Sequence, residues 1–189
     1  MSPRGPVALV DANVLYAAPV RDLLLRLAQA DLLEPHWSSE IHNEWTANLL
    51  RNRPDLIPAN VARTRALMDL SFPSAIVEGY EHHLPSIHLP DLGDAHVLAA
   101  AIECSADVIV TCNLADFPFE ELLLFGITPI HPDDFVVRLM ECHPDAVTAV
   151  VRRHRAGLRR PPLSPEEFIG ALARCGLEKT ARCLQDLQI

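Results

Sequence analysis

Short, uniformly apolar runs alternate with stretches of helical spacing along the first two thirds of the chain, and that alternation leaves few folds open. "VALV" (7–10) precedes Val20, Leu23, Leu24, Leu27 and Ala28, which recur at i, i+3, i+4, i+7 and i+8. This is the stripe of an amphipathic helix. "LLEPHW" leads into a helix from about Ser39 with Ile41, Trp45 and Leu49 on one face, and Pro58 opens another. The pattern then predicts a short strand at 75–77, a helix over 94–103, a strand at 107–111, a short helix near Pro118 to Leu124 and a strand within 126–131. Strands that are apolar on both faces and separated by helices need cover on both sides, so the expected fold class is α/β, a three-layer α/β/α arrangement around a parallel central sheet. In such sheets ligands bind beyond the carboxyl ends of the strands.

After Pro132 the pattern is helical throughout. "GLRRPPLSPEEF" holds a Pro-Pro break and then a helix start, with Ser164 as N-cap, Pro165 at the first helical position, and Glu166 and Glu167 in the first turn. At 189 residues the chain has room for one domain and an appendage. The expected division is a core unit over 1–143 and a helical C-terminal extension over 144–189.

The net charge of −9 argues against nucleic acid as a partner, because phosphate binding usually leaves a basic footprint. The charge is unevenly spread, however: residues 1–149 carry 8 Lys/Arg against 21 Asp/Glu, whereas 150–189 carry 8 against 4. The run "VVRRHRAGLRR" (150–160) holds most of the positive charge, and on a helix Arg152, Arg153 and Arg155 face away from Val147, Val150, Val151 and Leu158. A solvated helix face is the ordinary reading of any one of them. As a set they are candidate RNA contacts.

No apolar run approaches the ~20 residues needed to cross a bilayer, and the N-terminus lacks a signal-peptide layout. A soluble, cytoplasmic protein without a membrane partner is expected. The five cysteines are odd in number and include no C-x-x-C pair, so neither a disulfide framework nor a zinc site is indicated. Among the histidines, "EHHLPSIH" (His82, His83, His88) lacks a helical ligand spacing and reads as surface or packing. His96 reads as core or as a neighbour of the acids discussed next, and Trp37 and Trp45 as core.

Asp11 ends the first apolar run, a costly place for a charge unless something offsets it. In the expected topology Glu44 on the helix after the second strand, Asp94 opening a helix and Asp116 after the strand at 107–111 fall at the same sheet edge. Each has an ordinary reading as a cap, a first-turn acid, a turn residue or a solvated side chain. Together they are like charges that would bind protons unless a cation sits among them. Oxygen ligands suit Mg²⁺ or Mn²⁺, and Mg²⁺ is commonly shared between a few carboxylates and substrate phosphates, the logic of many nucleases. Glu40 lies one turn before Glu44 and competes for its position. Asp91 reads first as the N-cap of the helix at 94–103, paired with Asp94 as in a capping box, and second as an outer metal contact.

The segments "VDANVL", "SSEIHNEW" and "DLGDAHVLAAAIECSADVIVTCNLADFP" resemble the PIN-domain ribonucleases, most of all the VapC toxins of bacterial toxin–antitoxin pairs. The resemblance covers roughly residues 6–135. It implies that Asp11, Glu44, Asp94 and Asp116 are the catalytic and metal-binding acids around Mg²⁺ or Mn²⁺, with Asn13, Thr111 and Asn113 in support. It further implies a metal-dependent endoribonuclease, the toxin of a type II pair, acting on tRNA or rRNA, inhibited by a cognate antitoxin and assembled as a homodimer. Two alternatives stand beside it. One is a non-catalytic PIN-like scaffold that binds RNA or protein. The other is a phosphotransfer domain of the HAD or receiver type; the HAD pattern would want an acid where Asn13 stands, and a receiver would want adjacent acids at the first strand and a phosphorylatable aspartate on a later one.

Overall fold

The computed structural model describes residues 5–159 and 161–187, so Arg160 of the basic run lies outside the described residues. The strands are β1 (Val7–Val10), β2 (Glu34–Ser38), β3 (Ile76–Val77), β4 (Val108–Val110) and β5 (Thr128–Ile130), all parallel, in the order β3-β2-β1-β4-β5. The helices over the same span are α1 (Ala12–Tyr16), α2 (Ala18–Ala28), α3 (Ser39–Asn52), α4 (Pro58–Ser71), α5 (Ala95–Glu103) and α6 (Phe119–Leu123). From β1 the chain moves outward to β2 and β3, then returns to β4 on the other side of β1. Right-handed crossovers in opposite directions place α2 and α5 on opposite faces of the sheet. The expected three-layer α/β/α architecture is therefore present, with the topological switch point between β1 and β4.

Local residues account for these elements. Val20, Leu23, Leu24, Leu27 and Ala28 are buried as their spacing requires, and Ile41 and Trp45 are buried on α3. Ser38 caps α3 by accepting from the backbone N–H of Ile41. α5 is apolar on nearly every side, with residues 95–101 all buried, because β1, β2 and β4 cover one side and the 3-10 segment Tyr80–Ser86 covers the other.

The expected cap of α5 is not formed. A 3-10 turn, Leu92–Asp94, stands between Asp91 and the helix, so the Asp91 carboxylate accepts from Gly93 N at 2.8 Å and Asp94 makes no side-chain cap. Asp91 and Asp94 therefore do not pair as a capping box on α5.

The remaining helices are α7 (Pro132–Cys142), α8 (Pro144–Gly157), α9 (Pro165–Arg174) and α10 (Glu178–Asp186). α8 and α9 pack on α2, and α10 packs on α9 and α7. Ser164 caps α9, as the sequence indicates, and Glu167 completes a capping box with it. α10 has no cap of its own; the buried Asp133 in the first turn of α7 accepts from the N–H groups of Lys179 and Thr180, both at 2.8 Å. A carboxylate at a helix N-terminus satisfies orphan donors and meets the positive end of the dipole. Asp133→Ala should destabilise the chain by about 1–3 kcal/mol in urea unfolding and speed proteolysis within 165–186; unchanged stability would show that α10 is held by packing alone.

Candidate active site

Asp11 sits where β1 stops, beside the end of β4, and is 4% exposed. Its backbone N–H still pairs with Val110 O across the seam. One carboxylate oxygen accepts from Ala12 N at 2.6 Å. The other accepts from the Asn13 amide at 2.6 Å and the Thr111 hydroxyl at 2.7 Å. Asn13 also donates to Thr111 Oγ1 at 3.1 Å and accepts from Cys112 N at 3.0 Å, while Asn113 N donates to Thr111 Oγ1 at 3.0 Å. Asn13 and Thr111 thus clasp the ends of β1 and β4 around the acid. Burial raises the Asp11 pKa, Thr111 and Ala12 oppose the rise, and the charge of Glu44 adds to it.

Glu44 projects from α3 into the same region. Its Oε1 lies 3.0 Å from Nε2 of His96, a buried residue in the first turn of α5. Burial works against the imidazolium of His96, but the hydrogen bond and charge of Glu44, with the charges of Glu40 and Asp11, outweigh it and raise the pKa. Glu40 flanks the same ring at 3.8 Å and accepts a weak bond from the Tyr80 hydroxyl at 3.3 Å. Glu44, not Glu40, lines the open cleft with Asp11 and Asp94.

α3 is held in place from behind. Trp45 donates to His42 Nδ1 at 2.8 Å, so the other His42 nitrogen carries the proton toward Asp69 at 2.9 Å, and Trp37 donates to the same Asp69 oxygen. Buried Arg21 bonds Leu15 O at the end of α1 and lies 5.1 Å from the Trp45 ring, tying α1 to α3.

Asp94 ends the 3-10 turn before α5, half-buried. Its carboxyl is pushed up to about 6, first by burial and then by the charges of Asp11, Asp116 and Asp91. Asp116 is half-buried in the 3-10 turn Leu114–Asp116 and acts on Asp94 through its charge. The acids share one electrostatic neighbourhood without crowding: among the described residues, His82, His83 and Glu103 form the only trio of metal-capable side chains with ligand atoms all within 4.8 Å. An ion among acids that do not close to this distance would keep several of its waters. Hard oxygen donors and mutual repulsion fit Mg²⁺ or Mn²⁺.

The cleft, about 470 Å³, is completed by Asn13, Tyr16, Asn48, Asn52 and Asn113. Tyr16, Asn48 and Asn52 escaped notice in the sequence, although Asn48 and Asn52 follow Glu44 at i+4 and i+8 and so share its face of α3. Of the candidate RNA contacts, Arg152 and Arg153 are exposed, but Arg153 lines a hollow with Arg26, Gln29 and Ala30 at the last turn of α2, the end of the sheet opposite the acids. Arg155 is half-buried and its guanidinium reaches Leu163 O. The structure does not bring these arginines to the acidic cleft.

The raised Asp94 pKa has a signed consequence. The folded chain holds this proton more tightly than the unfolded one, so the contribution of Asp94 to stability is full below its ordinary 3.8 and is lost as pH rises through about 6. Burial lowers the pKa values of His36, His42 and His154, which works in the opposite direction, so the comparison must be differential. In EDTA, the Tm of Asp94→Asn should match the parent near about pH 4 and exceed it by a few degrees above about pH 7. Mg²⁺ should raise the parent Tm at the higher pH and leave the variant nearly unmoved; a variant less stable than the parent above pH 7 in EDTA would contradict this electrostatic account.

Comparison with known proteins matches residues 7–115 to the PIN domain family and residues 132–186 to the VapC50 C-terminal domain family. A Mycobacterium tuberculosis protein named "Putative ribonuclease VapC50" is 39% identical over 79 residues, which are 42% of this chain and 47% of that protein. The chain therefore aligns with about half the length of this relative. No solved structure matches. The PIN match takes in all three acids of the cleft, the clasp residues Asn13 and Thr111, and four of the five strands, and the chain belongs to the PIN-domain family.

Proposed function

We propose that the chain is a Mg²⁺- or Mn²⁺-dependent endoribonuclease, the toxin of a type II toxin–antitoxin pair acting on tRNA or rRNA in the cytoplasm. The observation that carries this reading is the convergence of Asp11, Glu44 and Asp94 in one open cleft beyond the switch point, where burial and then the charges of neighbouring acids push the Asp94 carboxyl up to about 6. Such uncompensated charge is a ready site for a cation. Asp11, Glu44, Asp94 and Asp116 would hold it. When bound, the ion would polarise a phosphoryl oxygen and make a coordinated water more acidic.

The chain's own residues do the positioning. Asn13 and Thr111 occupy one Asp11 oxygen, and Ala12 N takes a single acceptor site of the other, which keeps capacity for a ligand. His96 fixes the Glu44 carboxylate. Tyr16, Asn48, Asn52 and Asn113 offer uncharged polar groups to an RNA strand beside the acids, without adding to the repulsion. Arg152 and Arg153, exposed on α8, contact parts of a folded RNA that extend beyond the cleft. A cationic side chain of an antitoxin placed among the acids would inhibit by charge-assisted hydrogen bonding. The reading also includes a homodimer, and a nuclease unit (1–143) followed by an extension (144–189), with α7 fastened to both.

The test is cleavage of tRNA and rRNA fragments by the purified chain. Activity should require Mg²⁺ or Mn²⁺, vanish in EDTA, fall at least about 100-fold in Asp11→Asn, and fall roughly 10–100-fold in His96→Ala through loss of Glu44 positioning. Metal-independent cleavage, or full activity in Asp11→Asn, would refute the mechanism. Normal growth and intact RNA on inducing the chain alone would remove the toxin role.

A further inference from the structure

The 3-10 segment Tyr80–Ser86 and the last residue of α5 bring together three side chains that the nuclease reading does not use. His82 and His83 both turn toward Glu103, with their ring centroids 3.9 Å apart. Glu103 Oε2 lies 3.0 Å from His83 Nε2 and 3.7 Å from His82 Nε2. We propose that His82, His83 and Glu103 form a second metal site, for a zinc-class divalent cation, separate in place and chemistry from the acidic cleft.

The geometry supports that class of ion. Ligands about 2.0–2.1 Å from a tetrahedral centre sit about 3.4 Å from one another, and the two carboxylate–imidazole separations bracket that spacing. The ligand atoms of all three residues lie within 4.8 Å of one another. His82 is also held in the tautomer a metal needs. Its Nδ1 is 2.7 Å from Gly79 O, an acceptor only, so Nδ1 carries the proton and Nε2 presents its lone pair toward Glu103. A ligating histidine characteristically donates its remote N–H to a carbonyl or carboxylate in this way. Two imidazoles and one carboxylate leave a fourth position for water, and the nitrogen donors favour zinc over Mg²⁺ or Mn²⁺.

His82 and Glu103 are exposed and His83 is half-buried, so an ion reaches the trio directly from solvent. The ion would tie the 3-10 segment to the end of α5. That segment also carries Tyr80, which bonds Glu40, while the opposite end of α5 follows directly on Asp94. The site is thus a clip on the outer wall of the helix that aligns the acids.

Titration of the full chain with ZnCl₂ tests this, in excess Mg²⁺ and with the five thiols alkylated to remove them as ligands. Calorimetry should show one zinc equivalent that is lost in His82→Ala/His83→Ala and weakened at least about tenfold in Glu103→Gln. Asp94→Asn should retain it. At about 100-fold excess over Kd, zinc should raise the Tm of the parent by roughly 5–10 °C and leave the double variant unmoved. Mg²⁺-dependent RNA cleavage should be the same in parent and double variant, which separates this site from the nuclease reading. Equal zinc stoichiometry in parent and double variant, or loss of the equivalent in Asp94→Asn alone, would overturn the proposal.

Discussion

A carboxylate buried at the seam where two parallel strands diverge is the constraint around which this chain is arranged. A charge removed from water is expensive unless donors replace the lost hydration. Asp11 receives three, two from Ala12 N and Asn13 at the start of α1 and one from Thr111 directly after β4. The acid and the seam therefore depend on each other. Thr111 can reach Asp11 only when β1 and β4 are paired in register, and that pairing positions the acid beyond the sheet.

Everything else at this edge is held by elements anchored elsewhere. Glu44 depends on α3, which is pinned through Trp45, His42, Asp69 and Trp37 to α4 and β2. Asp94 depends on α5, enclosed between the sheet and the 3-10 segment. His96 joins the two, since it rides on α5 and grips the glutamate of α3. The C-terminal helices take no part in the cleft; they cover α2 and fasten to α7 through Asp133.

Much of this was legible in the sequence, for reasons that are local. Apolar runs such as "VALV" and the stripe from Val20 to Ala28 carry their periodicity with them, and alternation then dictates a parallel sheet whose carboxyl ends collect Asp11, Glu44 and Asp94. What failed to show was contact across distance. Nothing near His96 announces that its partner is 52 residues earlier, and nothing near "EHH" points to a glutamate 20 residues on. The misread cap at Asp91 has a similar cause, because a 3-10 turn carries too few residues to leave a periodic signature before the helix takes over. Arg155 followed its helical face less closely than Arg152 and Arg153, since the chain folds back and offers it the Leu163 carbonyl.

α5 sets the position of Asp94 by what it lacks. Ala99, Ala100 and Ala101 are wholly buried and bring no bulk beyond a methyl, so the helix lies tight between its neighbours with no slack to slide or roll. The spacing of the acids is in this sense a matter of volume as much as of charge. A methylene added at the far end of that rod would be felt at its tip, so the placement of the acids is as exposed to change at its smallest residues as at the acids themselves.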